Sequence, residues 1–264
     1  MSKRVAGPPQ DATAPSGGSA AHEVASVGAD IFMPQGTVYG VLLNFRGELH
    51  ALAPQMTQPP YKAAPKAPVL YVKTANTWST HGAAIAVPAR VPEVEIGATI
   101  AMVLGDAGTV QGYVLMNDLS IPHASFFRPP VKFKNLDGFL GIGGRLLRAD
   151  QAGEPVAFTL EVRINGELKQ RVDFSQLVRP AAQLLADVGE FMTLQAGDVL
   201  MLGCDADRPL AKAGDRIAIT APGFGTLSNT LVAETSDAGP PQGASAPSGG
   251  SDDTTVRSVG ATSS

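Results

Sequence analysis

The chain has 264 residues, of which 44% are hydrophobic, and a formal net charge of −4 at pH 7. This length suits one domain with terminal tails, and the mild acidity gives no support for binding to nucleic acid or to an anionic membrane. Cys204 is the single cysteine, which excludes an internal disulfide framework and a zinc site built from cysteines. No apolar run is long enough to span a bilayer, and the N-terminus lacks the apolar segment of a secretory signal. A cytoplasmic protein is therefore the expectation.

Both ends of the chain have the composition of disordered segments. Residues 1–34 and 235–264 are rich in Ala, Gly, Pro and Ser, and both contain the string APSGGS. Such segments cannot bury enough apolar surface to offset the entropy lost on ordering. We therefore expect two disordered tails around one domain at residues 35–234.

The middle of the chain is predicted to be rich in strands. Apolar, β-branched stretches predict four of them: Gly36–Phe45, Ala67–Lys73, Ile96–Leu104 and Gly112–Met116. Apolar and polar residues then alternate from Phe158 to Ile164. The following Asn165-Gly166 supplies the positive-φ residues of a type I′ hairpin turn.

Helical signals are fewer. Pro180 fits the first position of a helix, and apolar residues follow at helical spacing as far as Phe191. The glycine-rich GFLGIGGR, Gly138–Arg145, lacks the strand and helix that flank a dinucleotide-binding loop, so a loop or bulge is predicted there. The fold class expected is mostly β (α+β), with mixed sheets packed as a roll or sandwich and few helices.

One polar segment follows the strand that ends near Met116. It carries five charged residues among aromatics and prolines: Asp118, Arg128, Lys132, Lys134 and Asp137. Aromatic and proline residues favour an ordered loop, and ordered loops at strand ends gather binding groups. Asp118 directly follows apolar residues, so we expect it to be partly buried beside a cation or donors. The alternative is a solvated loop, and these observations alone leave both open.

Six strings in the chain resemble the fumarylacetoacetate hydrolase family: LLNF, YVKTANT, MVLG, GYVLMNDLS, KNLDGF and FMTLQAGDVLMLG. They occur in the family's order throughout the middle domain, whereas the tails match nothing. The resemblance implies a β roll that binds Mg²⁺ or Mn²⁺ through two glutamates of an E-x-E strand motif and one downstream aspartate. The metal of such enzymes chelates a 2-oxo acid and stabilises its enolate.

The chain departs from the family pattern at the metal. The E-x-E motif aligns with Gly97 and Thr99, so only Asp118 remains of the three ligands. Glu93 and Glu95 also read E-x-E, but they lie four residues upstream, which is about 13 Å along a strand at ~3.3 Å per residue. The resemblance therefore implies that Mg²⁺ or Mn²⁺ binds weakly or not at all in this chain.

A second departure concerns a histidine–glutamate pair that some family members carry in N-Y-x-x-H-x-x-E. Glu48 takes the histidine position here, and Ala51 takes the glutamate position. By resemblance, four retained residues bind substrate carboxylates or shape the pocket: Lys73, Arg128, Lys134 and Asp137. We predict that these four and Asp118 surround one cavity, and no catalytic residue is assigned.

This pattern of loss resembles the first half of tandem family members, whose second half keeps the metal motif. These act as a decarboxylase and isomerase in bacterial aromatic catabolism. The likeness implies a subunit for unsaturated 2-oxo dicarboxylates or tricarboxylates, working as a homodimer or with a metal-bearing paralogue. Two alternatives stay open: a catalytically silent structural partner of such a paralogue, or a metal-free family enzyme of unknown substrate.

Overall fold

The computed structural model describes residues 31–123 and 130–235. Almost all of the two expected tails lies outside these residues, so their disorder stays a prediction. Phe32 and Met33, inside the expected N-terminal tail, pack against buried apolar residues, and the Phe32 N–H donates to the Gly144 carbonyl at 3.0 Å. Ordered packing therefore begins by Phe32.

Strands dominate the described residues, with only four short α-helices. The strands are β1 Val38–Leu42, β2 Val69–Lys73, β3 Trp78–Thr80, β4 Ala84–Val87, β5 Val94–Glu95, β6 Ala98–Leu104, β7 Val110–Asp118, β8 Leu140–Arg148, β9 Thr159–Ile164, β10 Glu167–Asp173, β11 Val199–Met201, β12 Leu210–Ala211, β13 Arg216–Ala221 and β14 Gly225–Ala233. The helices are α1 Arg46–Leu52, α2 Val131–Lys134, α3 Ala149–Ala152 and α4 Ala181–Gly189. The expected fold class, mostly β with few helices, is confirmed.

The largest sheet has seven strands in the order β2-β1-β11-β6-β7-β8-β3. Its two edge strands, β2 and β3, are separated in sequence only by residues 74–77. Six strand spacings of ~4.8 Å would place the edges of a flat sheet about 29 Å apart. The connection from Lys73 to Trp78 reaches at most about 18 Å. The sheet must therefore curl until its edges approach each other, which produces the roll.

A five-stranded sheet, in the order β10-β9-β13-β14-β4, packs against one face of the curled sheet. The shared core contains side chains from both sheets, such as Ile100, Leu115, Val162 and Ile219, and also Leu184 from α4. A second apolar cluster, on the other face of the seven-stranded sheet, includes residues at alternate positions of its central strands: Ala101, Val103, Val114 and Met116. Strands β5 and β12 form a separate small ribbon.

The local signals for the hairpin and the helix hold in the structure. Asn165 and Gly166 have φ values of 54° and 86°, and they join the antiparallel strands β9 and β10. Helix α4 begins at Ala181, one residue after the predicted first position at Pro180, which is the N-cap, and it ends at Gly189. Phe191 lies beyond the helix and is exposed.

The prediction of a loop or bulge at Gly138–Arg145 was wrong for most of the segment, because Leu140–Arg148 forms strand β8. One irregularity remains: the pairing between β7 and β8 shifts so that residues 143–145 face Leu115 alone. The glycines here permit close strand packing. A Cβ added to Gly143 would lie 2.9 Å from the Leu115 carbonyl oxygen.

Candidate functional site

Asp118 ends β7 beside the position where β6 begins. Its N–H donates to the Gly97 carbonyl oxygen at 2.8 Å, and the next residues, Ala98 and Asn117, are paired in the antiparallel ladder. Position 97 therefore lies directly opposite Asp118. The Asp118 side chain is fully buried, which is more than the partial burial that the sequence suggested.

Three side chains from other elements converge on the Asp118 carboxylate. The Lys73 ammonium, at the end of β2, lies 3.0 Å from Oδ1. The Lys134 ammonium, at the end of α2, lies 2.6 Å from Oδ2, and the Tyr71 hydroxyl donates to the same oxygen at 2.5 Å. Strand β2 lies four places from β7 in the sheet order. These contacts therefore depend on the curl of the sheet.

The ring of Tyr71 reaches Asp118 by crossing Gly40 on the neighbouring strand β1. A Cβ at Gly40 would lie only 2.1 Å from a ring carbon, so the position has no room for a side chain. The Lys134 ammonium also lies 4.7 Å from the centre of the Tyr71 ring, within range of a cation–π attraction. Tyr71 thus contacts both members of the ion pair.

The charges of this cluster compensate one another. Burial lowers the pKa of Lys73 to about 8, although Asp118 acts in the opposite direction. Burial alone would raise the pKa of Asp118, but the ammonium groups of Lys134 and Lys73 outweigh it and hold that pKa well below its usual range. Burial and the adjacent Asp118 raise the pKa of Tyr71. At neutral pH the tyrosine is therefore a neutral donor to an ionised carboxylate.

Lys73 has little capacity left for another ligand. Its ammonium donates to three main-chain carbonyls, those of Phe139 at 2.7 Å, Leu119 at 3.3 Å and Lys134, and it forms an ion pair with Asp118. An ammonium group has three donors. The main-chain and carboxylate oxygens around Lys73 can engage all of them.

A second buried charge cluster consists of Glu48, Arg208 and Glu95. Arg208 pairs with Glu48 and lies 3.3 Å from an oxygen of Glu95. The N–H of Leu43 donates to the other Glu48 oxygen at 2.5 Å. Burial raises the pKa of Glu48, although Arg208 opposes the shift. Burial would lower the pKa of Arg208, but Glu48 and its other neighbours raise it, so the guanidinium stays charged.

The second cluster opens onto a cavity of about 250 Å³. Its lining includes Glu48, Glu95, His123 and Arg208. The ring of His123 stacks on Phe133 with its centroid 4.6 Å away. Helix α1 contributes Ala51 and Leu52 to the lining besides Glu48.

A family model for the C-terminal domain of fumarylacetoacetate (FAA) hydrolase matches residues 37–232. The chain belongs to the fumarylacetoacetate hydrolase family. Over 210 residues it is 37% identical to the 4-hydroxyphenylacetate degradation bifunctional isomerase/decarboxylase of Salmonella dublin, a match that covers 76% of this chain and 48% of the relative. A homoprotocatechuate catabolism bifunctional isomerase/decarboxylase of Escherichia coli is 36% identical over 210 residues. This match also covers 76% of this chain and 48% of the relative. The chain thus spans about half the length of these curated relatives.

Solved structures support the same fold. One is the fumarylpyruvate hydrolase of Pseudomonas aeruginosa, solved with Mn²⁺ and pyruvate. It superposes with a TM-score of 0.67 at 22% sequence identity, and the match covers 79% of this chain and 94% of the hydrolase chain. The 5-carboxymethyl-2-hydroxymuconate delta-isomerase of Mycobacterium smegmatis gives a TM-score of 0.63 at 24% identity. That match covers 78% of this chain and 82% of the isomerase chain. At these identities the likeness establishes the fold alone. Among the described residues, no helix has the length and apolar character needed to cross a membrane.

The family's metal does not fit the residues around Asp118. A Cβ at position 97 would lie 2.3 Å from the Asp118 carbonyl oxygen, and the Thr99 hydroxyl instead donates to the Gly203 carbonyl at 2.6 Å. Both Asp118 oxygens already face ammonium groups. No group of three or more His, Cys, Asp or Glu side chains in the described part of the chain is arranged to hold a metal ion. Weak or absent binding of Mg²⁺ or Mn²⁺ nevertheless stays a prediction until it is measured.

The formal charges of the two clusters cancel without a metal. Three buried or partly buried carboxylates, of Asp118, Glu48 and Glu95, face three cations, Lys73, Lys134 and Arg208. Cys204 lies close to Gly97, and burial raises the pKa of its thiol to about 12, so it adds no charge. A divalent cation placed here would bring positive charge that the described side chains do not compensate.

The structure places the sequence-predicted site residues in different surroundings. Lys73, Asp118 and Lys134 are in direct contact. Asp137 is exposed, and its carboxylate accepts a hydrogen bond from Asn76 at 2.7 Å. Arg128 lies outside the described residues. That all five surround one cavity therefore stays a prediction.

Two residues of the charge clusters, Tyr71 and Arg208, were not predicted from the sequence as site residues. A third, Glu48, was given no role in the site. Tyr71 carried a signal, since it precedes Lys73 by two residues and therefore shares its face of β2. Glu48 was noticed only as a departure from the family pattern. Arg208 lies between β11 and β12 in a stretch without a recognisable motif, and it meets Glu48 across 160 residues of sequence.

Proposed function

We propose that this chain is one subunit of a decarboxylase/isomerase of 4-hydroxyphenylacetate catabolism. The proposed reactions are decarboxylation of 5-oxopent-3-ene-1,2,5-tricarboxylate and isomerisation of 2-hydroxyhepta-2,4-diene-1,7-dioate, both unsaturated 2-oxo acids or their enols. The names and 36–37% identity of the bifunctional relatives support this assignment. So does the chain's span of 48% of their length, which is the extent expected of one half of a tandem enzyme.

The observation that carries the subunit assignment is the loss of both glutamates beside Asp118, where Gly97 has no room for a side chain and the Thr99 hydroxyl donates to the Gly203 carbonyl. A chain that keeps the family fold but only one of the three metal ligands is unsuited to metal-dependent decarboxylation. We propose that this step takes place on a paralogue with an intact E-x-E motif. The two chains would pair across a pseudo-two-fold axis, as identical subunits do across a true one. In this proposal residues 35–234 form the catalytic-type domain, and the complex is cytoplasmic.

A catalytically silent structural partner is the second candidate. It is favoured by Lys73, whose three donors are taken up by main-chain carbonyls. On that view the cluster stabilises the fold and contacts no substrate. A metal-free enzyme that acts alone is the third candidate, and the cavity beside Glu48 and Arg208 favours it.

Co-expression with a paralogue that carries the E-x-E motif tests the proposal. Size-exclusion chromatography should show a stable complex, and decarboxylation of the tricarboxylate should appear mainly in the mixture. The rate should depend on the paralogue's glutamates. If the complex assembles and its isomerisation rate is unchanged by Glu48→Gln in this chain, the silent-partner candidate replaces the leading one. A monomeric chain with full decarboxylase activity alone would eliminate both and leave the metal-free enzyme.

A further inference from the structure

The Glu48 carboxylate is a fixed group beside the cavity. It is held from two directions, by the N–H of Leu43 at 2.5 Å and by the guanidinium of Arg208. Its side chain is only 8% exposed, and yet it contributes to the cavity lining. A carboxylate restrained in this way has one orientation toward the cavity, which is what proton transfer to a bound molecule requires.

The turn that holds Glu48 is strained. Leu43 has a φ of 61°, in the left-handed region that non-glycine residues rarely occupy. Such a conformation is unfavourable and persists where the surrounding structure enforces it. Here the strained residue directs its N–H at the Glu48 carboxylate. The backbone therefore supports the orientation of this particular side chain.

The groups around Glu48 suit a base. Arg208 contacts it through one terminal nitrogen and Glu95, from β5, through the other. Asp207 and His123 also line the cavity, and Lys134 from α2 and Cys204 act on the region electrostatically. Arg208 is shared by two carboxylates, which hold its guanidinium in place beside the cavity. From there it can stabilise charge that develops on an enolate oxygen nearby.

We propose that Glu48 is the proton-transferring base of the isomerisation, acting on a 2-oxo-3-enoic acid bound in this cavity. The carboxylate removes a proton from the carbon next to the C=C bond. The C–H electron pair forms a new C=C bond, the existing double bond shifts, and the carbonyl electrons move to the oxygen to give a dienolate. Protonation of that oxygen gives the dienol, and the reverse path returns the keto form, so no proton is consumed overall. This inference rests on the proposed substrate class, but it places the isomerase step in this chain.

Hydrogen–deuterium exchange isolates the step from decarboxylation. The probe is the keto form of 2-hydroxyhepta-2,4-diene-1,7-dioate, incubated in D₂O with the full chain. NMR follows loss of the signal from the protons next to the double bond. The wild-type chain should accelerate exchange over buffer. Glu48→Gln should lower the accelerated rate by about 10²-fold or more, the usual contribution of a general base.

The matched control is Glu93→Gln, which makes the same change at an exposed glutamate upstream of Glu95. Its exchange rate should equal that of the wild type. Glu48→Asp, which keeps a carboxylate, should recover part of the rate. The wild-type rate should rise with pH through an inflection above 4.5, the ordinary value for a glutamate, because burial raises the pKa of Glu48 and only the ionised form is a base. Glu48→Gln should lose this inflection.

Ala51→Phe tests the same cavity without changing Glu48, in case the Glu48 variants do not fold. Ala51 is exposed and lines the same cavity, so a larger side chain should obstruct the cavity without touching the core. It should abolish the accelerated exchange. A folded Glu48→Gln or Ala51→Phe protein with wild-type exchange, or a wild-type chain with no exchange above buffer, would overturn the inference. A different result would refute only the proposed subunit function: exchange that depends on Glu48, while no mixture with a paralogue decarboxylates the tricarboxylate. The inference about Glu48 would then stand.

Discussion

The ammonium nitrogen of Lys134 lies 2.6 Å from a carboxylate oxygen of Asp118, and both side chains are at most 1% exposed. A buried ion pair of this kind contributes little relative to an apolar pair of similar volume, because desolvation offsets most of the attraction. Removal of one partner is far more damaging, since it leaves the other charge buried and uncompensated. The pair therefore makes Asp118 a structural necessity whether or not it has a chemical role.

Asp118→Asn should destabilise the protein by about 3–5 kcal/mol, because Lys73 and Lys134 then lose their shared counter-charge. Urea unfolding at pH 7 measures the change. The control is Asp150→Asn, which breaks an exposed pair with Arg148 of 3.0 Å and should leave the free energy of unfolding nearly unchanged. Equal effects of the two substitutions would contradict the role assigned to the buried cluster.

Stability should fall in acid partly through Asp118. Its pKa is held below the ordinary value of 3.8, so below that pH the unfolded chain binds a proton that the folded chain does not. The stabilisation is therefore complete above pH 3.8 and is lost as the pH falls toward the folded-state pKa, by up to about 1.4 kcal/mol per pH unit. Unfolding curves for the wild type and Asp118→Asn between pH 3 and 6 check this. The difference between the two should shrink below pH 3.8, and a constant difference would argue against an ionised Asp118.

Gly40→Ala should disrupt the contacts of Asp118 indirectly, through the ring of Tyr71. The added Cβ would meet the Tyr71 ring at 2.1 Å and displace its hydroxyl from Asp118, with a loss of about 1–3 kcal/mol in unfolding free energy. Gly189→Ala is the control, because Gly189 lies in α4 with open space around it and should gain up to about 1 kcal/mol from helix propensity. Thermal denaturation of both variants provides the comparison. A neutral Gly40→Ala would show that Tyr71 has room to move.

Restoring the family's glutamates should not restore the metal. In the double variant Gly97→Glu/Thr99→Glu, the new Cβ at position 97 collides with the Asp118 main chain, and both ammonium groups still occupy the carboxylate. Calorimetric titration with MnCl₂ should detect no tight stoichiometric binding to the wild type or to the variant. Millimolar Mn²⁺ should also leave the melting temperature unchanged, whereas a bound ion would raise it. Tight binding to the wild type that disappears in Asp118→Ala would refute this account of the site.

Local chemistry made several elements readable from the sequence. The Asn165-Gly166 turn and the start of α4 depend on residues adjacent in the chain. The turn was predicted correctly, and α4 begins one residue after the predicted position. Strand β8 was missed because its glycines lack the side-chain pattern of a strand. Their small size serves the packing of neighbouring strands, and that requirement comes from residues distant in sequence.

The sequence by itself determined the β-rich fold class, the family and the loss of two glutamates, since each of these is written in residue types and their order. Only the tertiary structure decided which groups surround the remaining aspartate and Glu48. Tyr71 is 47 positions from Asp118, and it reaches the carboxylate because the curled sheet brings β2 to the end of β7. Arg208 meets Glu48 across 160 positions because each residue follows one of the two paired parallel strands β1 and β11. Electrostatic compensation acts over a few ångströms in space, and the sequence separation of two charges says nothing about that distance until the chain has folded.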